Sequence, residues 1–436
     1  MGSAAPPARR RLRGAWGELP PGTPVVFWSW LGSRLLFFLT LALALRPRTA
    51  AELIERLGQW DGAHYLRIAA QGYGGDEFAF FPLFPYTIKA VAALVPIPPV
   101  LVAVLLVNVA FLGALLVLYR LSERWLGAAV ARNVVLLSCL NPMAIFFAIP
   151  YTESFYLLFT ALTLAALVRR PTGRPTGPEG LLGGGRGGLA AGLWGGLAAA
   201  TRPTGVVLVA SIGVGFWRQR RWRAGLVAVL LTLGGLAVVM AIGLEGQGNA
   251  LAFLHAQKAW EVTPGFNLAG LPFWRRQLSQ ALLGPLNTKA GALVDLTHPA
   301  AMAAILLVAG LAWGPGRRWP TASFALSVLA FVVYWLLGGM PALCLLFSLG
   351  CLPLLVWGYG RLPLELWLFG VTSVMAYLLK QNTISLERHV FATVPLLMLY
   401  GAWFSAHPRW LGFVLGFGSL LSVIYSVRFA QGHWIG

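Results

Sequence analysis

Long apolar runs separated by short polar ones make up nearly the whole chain. The first uninterrupted run spans 25–45. Others follow at 98–119, 132–149, 152–168, 187–202, 203–217, 223–244, 299–314, 320–338, 341–358, 363–379, 388–405 and 410–427. About 20 apolar residues cross a hydrocarbon core of roughly 30 Å, and about 17–25 are tolerated. The pattern predicts thirteen candidate spans. Several are short, so eleven to thirteen is the expected range. The runs are continuous rather than alternating, which favours α-helices over a transmembrane β-barrel. An all-α polytopic membrane protein is expected, with Phe80 to Leu94 as a re-entrant or membrane-surface helix.

Composition agrees with the pattern. Of 436 residues, 58% are hydrophobic and only 11% charged, and the mean hydropathy is +0.73. A water-soluble domain of this size needs more charge on its surface. The organisation expected is a basic cytoplasmic tail over 1–24 and one integral domain over 25–436. That domain carries outer loops at 46–97 and 245–298. The 25–45 run is too long for a cleaved signal and is kept as the first span. Cys139, Cys344 and Cys351 all lie inside apolar runs, where packing is the expected role.

The net charge of +19 changes the picture only through its placement. Arginines cluster in short loops between apolar runs, which writes topology and does not point to a nucleic-acid partner. With the N-terminus inside, alternation places 19 of the 33 basic residues and four acids there. Twelve basic and ten acidic residues fall outside, while Arg34 and Arg202 stay in or at spans. The faces then differ as +15 against +2, and the N-terminus is expected to be cytoplasmic. The same alternation sends every suggestive polar motif to the outer face. The segment 169–188, rich in Gly, Pro and Arg, lacks the ending of a phosphate loop and reads as a flexible linker.

The candidate chemistry concentrates in WDGAHYLRIAAQGYGGDEFAFFPLFP, residues 60–85. Asp61 follows the first span directly, beside Trp60, suited to the membrane interface, and Gly62, which permits close backbone approach. Asp76 and Glu77 form a second acidic pair that could bind a metal or a sugar hydroxyl, or merely be solvated. His64 could contact a phosphate or lie on a helix surface. Glu153 opens a span in NPMAIFFAIPYTES, where Thr152 or Tyr151 could cap the helix. Arg202 lies between two apolar runs, where burial costs about 2.5–3.5 kcal/mol on insertion scales, so an acidic partner or a bound anion is expected. Arg388 and His389, beside Glu387, repeat that logic. One carboxylate among several cations suits transfer from a lipid phosphate. The leaving group departs as an anion that Arg and His neutralise, and one base takes the proton of the attacking hydroxyl. Glycoside hydrolysis would usually want two carboxylates.

WDGAHYLRIAAQGY with FAFFPLFP resembles the PIG-V family of mannosyltransferases. NPMAIFFAIPYTES (141–154), AAATRPTG (198–205) and, less specifically, SLERHVFATVP (385–395) are similar to later motifs of that family. The resemblance implies a GT-C-type bundle with an extracytoplasmic first loop and a polyprenyl-phosphate sugar donor, transferring with inversion. It assigns Trp60, Asp61 and Gly62 to the catalytic-loop signature, with Asp61 as base. Glu153 and Arg202 match the second and third motifs. Asp76 and Glu77 resemble the acidic motif of the wider superfamily and so compete with Asp61.

The expected function is an inverting glycosyltransferase, a mannosyltransferase acting at the extracytoplasmic face of a bacterial plasma membrane. The bacterial reading follows from the 29 Arg against 4 Lys. Trp60, Gly62, His64, Glu153, Arg202, Arg388 and His389 are the expected substrate-binding residues. The expected partners are membrane lipid, the polyprenyl-phosphate-sugar donor, and a lipid or glycan acceptor. Neither cofactor nor metal is expected. The rival is a transporter or flippase of a lipid-linked sugar, which should place charges near the bilayer midplane and show repeated halves. A non-catalytic scaffold of a cell-envelope complex is a third reading.

Overall fold

The computed structural model describes residues 22–46, 49–168, 187–257, 270–313, 318–379, 383 and 385–435. Most of the expected basic tail and linker therefore lies outside the described residues, as do Lys258, Trp260 and Glu261 of the second outer loop. The described residues form helices and 3-10 turns, with no strand among them.

α1 (Thr23–Leu45) is the first long apolar helix. The expected 46–97 loop is itself helical, with α2 (Ala50–Leu57), α3 (Asp61–Gln71), a 3-10 turn at Gly75–Ala79 and α4 (Leu83–Ala92). The apolar α4 falls where a re-entrant or surface helix was expected. α5 (Pro99–Leu126) and α6 (Ala128–Leu140) meet at Gly127, whose φ of +90° lets the chain turn between them. After a 3-10 turn at Ala144–Phe147 come α7 (Glu153–Leu167) and α8 (Gly187–Thr201). A further 3-10 turn at Pro203–Val207 precedes α9 (Leu208–Arg218) and α10 (Trp222–Gln247). The expected 245–298 loop also contains helices, α11 (Ala252–Gln257), α12 (Leu271–Leu283) and α13 (Pro285–Ala290), before α14 (Thr297–Trp313).

Pro320–Gly358 is broken at Gly339 (φ 58°, ψ −146°) into α15 (Pro320–Gly339) and α16 (Pro341–Gly358). α17 (Leu364–Leu379), α18 (Leu386–Phe391), α19 (Val394–Ala406) and α20 (Pro408–Ala430) complete the described chain. Helices thus occupy all thirteen expected positions. Among the described residues six are long and apolar enough to cross a membrane: α1, α5, α10, α15, α16 and α20. The protein is a multi-pass integral membrane protein.

Two runs expected as continuous spans are interrupted, a third break falls at the expected boundary between 187–202 and 203–217, and each of the three has a local cause. In 132–149, α6 stops at Leu140 because Asn141 takes over its last hydrogen bonds. The Asn141 amide donates to Leu137 O (3.1 Å) and Ser138 O (2.9 Å), its Oδ1 accepts from Met143 N (2.8 Å), and Pro142 supplies no N–H. At the boundary between 187–202 and 203–217, Pro203 forces Arg202 into an extended conformation (φ −154°, ψ 149°) before the chain turns helical again. In 388–405, α18 ends at Phe391 and α19 restarts with a proline, Pro395, in its first turn. Backbone freed inside a membrane protein must be satisfied by protein groups, so such breaks occur where the surroundings are built to receive them.

The helices around these breaks pack through small residues. A Cβ on Gly196 of α8 would approach Leu231 O of α10 to 2.6 Å, and one on Gly192 would approach Ala228 Cα to 2.7 Å. Such close backbone approach is how apolar helices gain contact where surrounding lipid removes the hydrophobic driving force.

Candidate active site

The three interruptions and the N-terminus of α3 meet in one place. Trp60, immediately before α3, adopts φ 58° and ψ −129°, a conformation that costs a non-glycine residue about 1–3 kcal/mol. Its ring lies edge-on to Trp434, with centroids 5.5 Å apart, so the strain is held by packing from the chain's far end. The turn delivers Asp61 into the first turn of α3, where the helix dipole favours a carboxylate. The Asp61 N–H donates to the Tyr151 hydroxyl at 3.3 Å, tying α3 to the segment before α7.

Glu153 is completely buried, and two arginines converge on its Oε1. Arg202 Nη2 lies at 2.5 Å, and Arg388 donates through Nε at 2.9 Å. Arg388 Nη2 also reaches Asp61 Oδ2 at 3.4 Å, and its Nη1 donates to Ser385 Oγ at 3.3 Å. One guanidinium therefore bridges both acids. It lies over the rings of Phe146 (4.3 Å) and Tyr151 (5.0 Å), whose faces favour a cation. Arg202 Nε donates to Thr152 Oγ1 at 2.7 Å, and Tyr65 Oη lies 3.4 Å from the same oxygen. Arg202 Nη1 is 3.3 Å from His389 Nδ1. An arginine only donates, so His389 Nδ1 accepts there and its other ring nitrogen carries the proton. The His389 ring stacks on Tyr377 at 5.1 Å.

The two carboxylates differ in ways that assign them different work. Glu153 is sealed from solvent and clamped by two cations. Asp61 keeps 21% of its side-chain surface and has one long contact to Arg388. Burial pushes the Asp61 carboxyl above its ordinary value, opposed by Arg388. Of the pair, Asp61 alone keeps access to solvent. Glu153 is the anion that lets two arginines stay buried side by side.

The remaining sequence candidates lie apart from this cluster. His64, one turn along α3, faces Glu77, which also receives Arg67 Nη1 at 3.0 Å, and its ring stacks on Phe80 at 4.6 Å. Burial, then the Arg67 charge, lowers the His64 pKa below its ordinary value. Asp76 is exposed whereas Glu77 is buried, so the adjacent acids have different surroundings. The 3-10 turn that carries them points successive side chains to different surroundings. Gly62 is buried against Pro150. A Cβ there would meet Pro150 Cβ at 3.5 Å, ordinary contact, so the packing at this position does not itself demand a glycine. Among the described residues, no three His, Cys, Asp or Glu side chains gather closely enough to hold a metal ion. The three cysteines are buried and free, as packing residues are.

Several contributors were not singled out from the sequence for the roles they take. Thr152 was expected as a helix cap, yet makes no side-chain cap bond; its hydroxyl holds Arg202 instead. Tyr65, Tyr151, Tyr377 and Ser385 also line or brace the cluster. The available signal was a set of hydroxyl-bearing residues beside breaks in otherwise apolar runs.

The sequence profile of the Mannosyltransferase (PIG-V) family matches residues 44–214, a stretch that contains Asp61, Glu153 and Arg202. The rat GPI alpha-1,6-mannosyltransferase 2 is 35% identical over 200 residues, covering 43% of this chain and 37% of the rat protein. A GPI mannosyltransferase 2 of Drosophila pseudoobscura pseudoobscura is 34% identical over 114 residues, 24% of this chain and 25% of that protein. The matched stretches thus span between a quarter and little more than a third of these relatives. Among solved structures, the Archaeoglobus fulgidus oligosaccharyltransferase in complex with Zn and sulfate aligns with 94% of this chain and 52% of its own. Its sequence identity is 14% and its TM-score 0.44.

Proposed function

We propose that this chain, whose residues 44–214 belong to the PIG-V mannosyltransferase family, is an inverting glycosyltransferase. It moves mannose from a polyprenyl-phosphate donor to a lipid or glycan acceptor at the extracytoplasmic face. The observation that carries the reading is the Asp61–Arg388–Glu153–Arg202 constellation, with one accessible carboxylate beside two buried arginines.

In the proposed reaction an acceptor hydroxyl attacks the anomeric carbon while its proton passes to Asp61. The bond from that carbon to the phosphate oxygen breaks, and the lipid phosphate leaves as an anion. A single displacement inverts the anomeric centre. Arg202 and Arg388 stabilise the developing phosphate charge from a site whose dielectric is low, which is where fixed cations are worth most. Glu153 keeps them in place before the donor arrives, so little reorganisation is left for the moment of reaction. A phosphate that binds must share these arginines with Glu153 and Asp61. Arg388 drawn toward the phosphate leaves Asp61 free to accept the proton.

The test is mass spectrometry of products from purified protein in lipid, supplied with synthetic polyprenyl-phosphate-mannose and a membrane extract as acceptor. Wild type and Asp61→Asn are run together. Transfer by wild type alone supports both the reaction and its base. Transfer retained in Asp61→Asn removes Asp61 from the role. No transfer by wild type, with lipid flipping in a vesicle assay, replaces the transferase by a transporter.

A further inference from the structure

Arg34 lies in the middle of α1, is 5% exposed, and forms no salt bridge among the described residues. A lone arginine inside a membrane helix is costly, and such residues are commonly functional. Its partners are not acids but carbonyl oxygens. Nη1 donates to Phe147 O at 2.6 Å and to Asn108 Oδ1 at 3.2 Å, and Nη2 to Ala144 O at 3.4 Å. Asn108 of α5 completes the set, donating its amide to Ala148 O at 3.0 Å and Val104 O at 2.7 Å. Trp30 Nε1 donates in turn to Asn108 O at 3.1 Å. Arg34 sits 4.9 Å from the Phe111 ring, which stacks on Phe147.

These carbonyls, 144, 147 and 148, belong to the break that Asn141 and Pro142 create. A continuing α-helix would supply N–H partners here; at the break Arg34 and Asn108 supply donors instead, with Ser154 Oγ reaching Phe147 O at 3.4 Å. Three residues beyond them, the chain reaches Tyr151, Thr152 and Glu153, which hold Asp61 N–H, Arg202 and Arg388 respectively. Phe146, in the same turn, lies under Arg388.

We infer that Arg34 and Asn108 are positioning residues. They clamp the 144–148 carbonyls and thereby set where Tyr151, Thr152 and Glu153 present the two site arginines. The fork geometry matters: a planar guanidinium can hold two carbonyls and the Asn108 oxygen at once, whereas an ammonium is a compact point donor. The catalytic part of this inference rests on the transferase reading above; the structural part does not.

Arg34→Met, Arg34→Lys and Asn108→Leu are compared with wild type and with Glu365→Gln. The last disrupts a salt bridge (Arg218–Glu365, 3.1 Å) at the other end of α9 from Arg202. Hydrogen exchange followed by mass spectrometry reads protection across 141–153, and the transfer assay reads turnover against pH. Arg34→Met and Asn108→Leu are expected to expose 144–152 selectively and to lower turnover about 10- to 100-fold, the cost of a misplaced site. Arg388 is what holds down the Asp61 proton affinity, so displacing it also moves the acid limb of the pH profile upward. Arg34→Lys should fall between them and wild type, and Glu365→Gln should leave both the limb and the 144–152 exchange unchanged. A purely structural loss would reduce the active fraction without moving the limb. Folded Arg34→Met protein with wild-type protection and an unmoved limb overturns the inference. Should Arg34→Met not fold, Asn108→Leu carries the same decision. If wild type transfers no sugar, the transferase reading falls, while the exchange data still decide whether Arg34 holds the segment.

Discussion

Arg34 and Arg388 are equally buried, each 5% exposed, and each lies over an aromatic ring, yet they are partnered in opposite ways. Arg34 spends its hydrogens on carbonyls and one amide oxygen. Arg388 spends its own on two carboxylates and a hydroxyl. Carbonyl partners are neutral and fixed by the backbone, so nothing that binds can replace them without unfolding the segment. Carboxylate partners are charges, and an incoming anion can compete with them for the guanidinium. The same side chain is therefore a brace in one place and an exchangeable cation in the other, according to the groups around it.

The largest effect that separates the two regions should come from Asp61→Asn. Loss of a general base typically costs about 10²–10⁴-fold in rate. Sugar transfer should fall by that much while thermal unfolding in detergent stays near wild type, because Asp61 has a single 3.4 Å ion contact to lose. Arg388→Met comes next, with turnover expected down by about 10²–10³-fold, as for removal of one group that stabilises developing negative charge.

Its pH profile sharpens the comparison. Burial has already raised the Asp61 pKa and Arg388 opposes that rise. Activity needs the carboxylate, so turnover is lost as pH falls through the raised value. Removing Arg388 raises that value further and moves the acid limb to higher pH. Glu153→Gln tests the other half. With two buried arginines deprived of their shared anion, it should destabilise by about 3–5 kcal/mol, seen as a lowered unfolding midpoint. Stability near wild type there would break the contrast between exchangeable and fixed partners. The smallest effect is expected at Glu77→Gln. It removes an ion pair to the half-exposed Arg67, and turnover should change less than about 10-fold, as befits a screened contact.

Much of this was legible before the fold was known. Arg202, flanked by apolar runs, demanded an acid, and Glu153 is that acid. Asp61 stood out by its place after the first span, and it does meet Arg388, 327 residues later. Asp76 and Glu77, adjacent acids left open between binding and solvation, turn out to sit in different surroundings. Adjacency in sequence says nothing of which way a 3-10 turn points successive side chains, and one is exposed while the other is buried. His64 likewise turns toward Glu77 and Phe80, because three residues of helix rotate it away from the Asp61 cluster only partly, and the neighbours decide the rest. Thr152 was expected as a cap and is a ligand for Arg202, since a hydroxyl takes the strongest donor in reach.

What the sequence determined by itself was the membrane architecture. The hydrophobic runs placed helices at all thirteen expected positions, since burial in lipid imposes length and composition on each segment independently of the others. Pro142, Pro203 and Pro395 mark the breaks locally, and only the tertiary structure decided what the breaks are for. Which carbonyls Arg34 would satisfy, and which carboxylates Arg388 would bridge, depends on groups more than 100 and more than 200 residues distant. A guanidinium has no intrinsic preference strong enough to reveal its partners from local sequence. The partner is whatever acceptor the packed helices leave within about 3 Å, and that is a property of the assembled bundle.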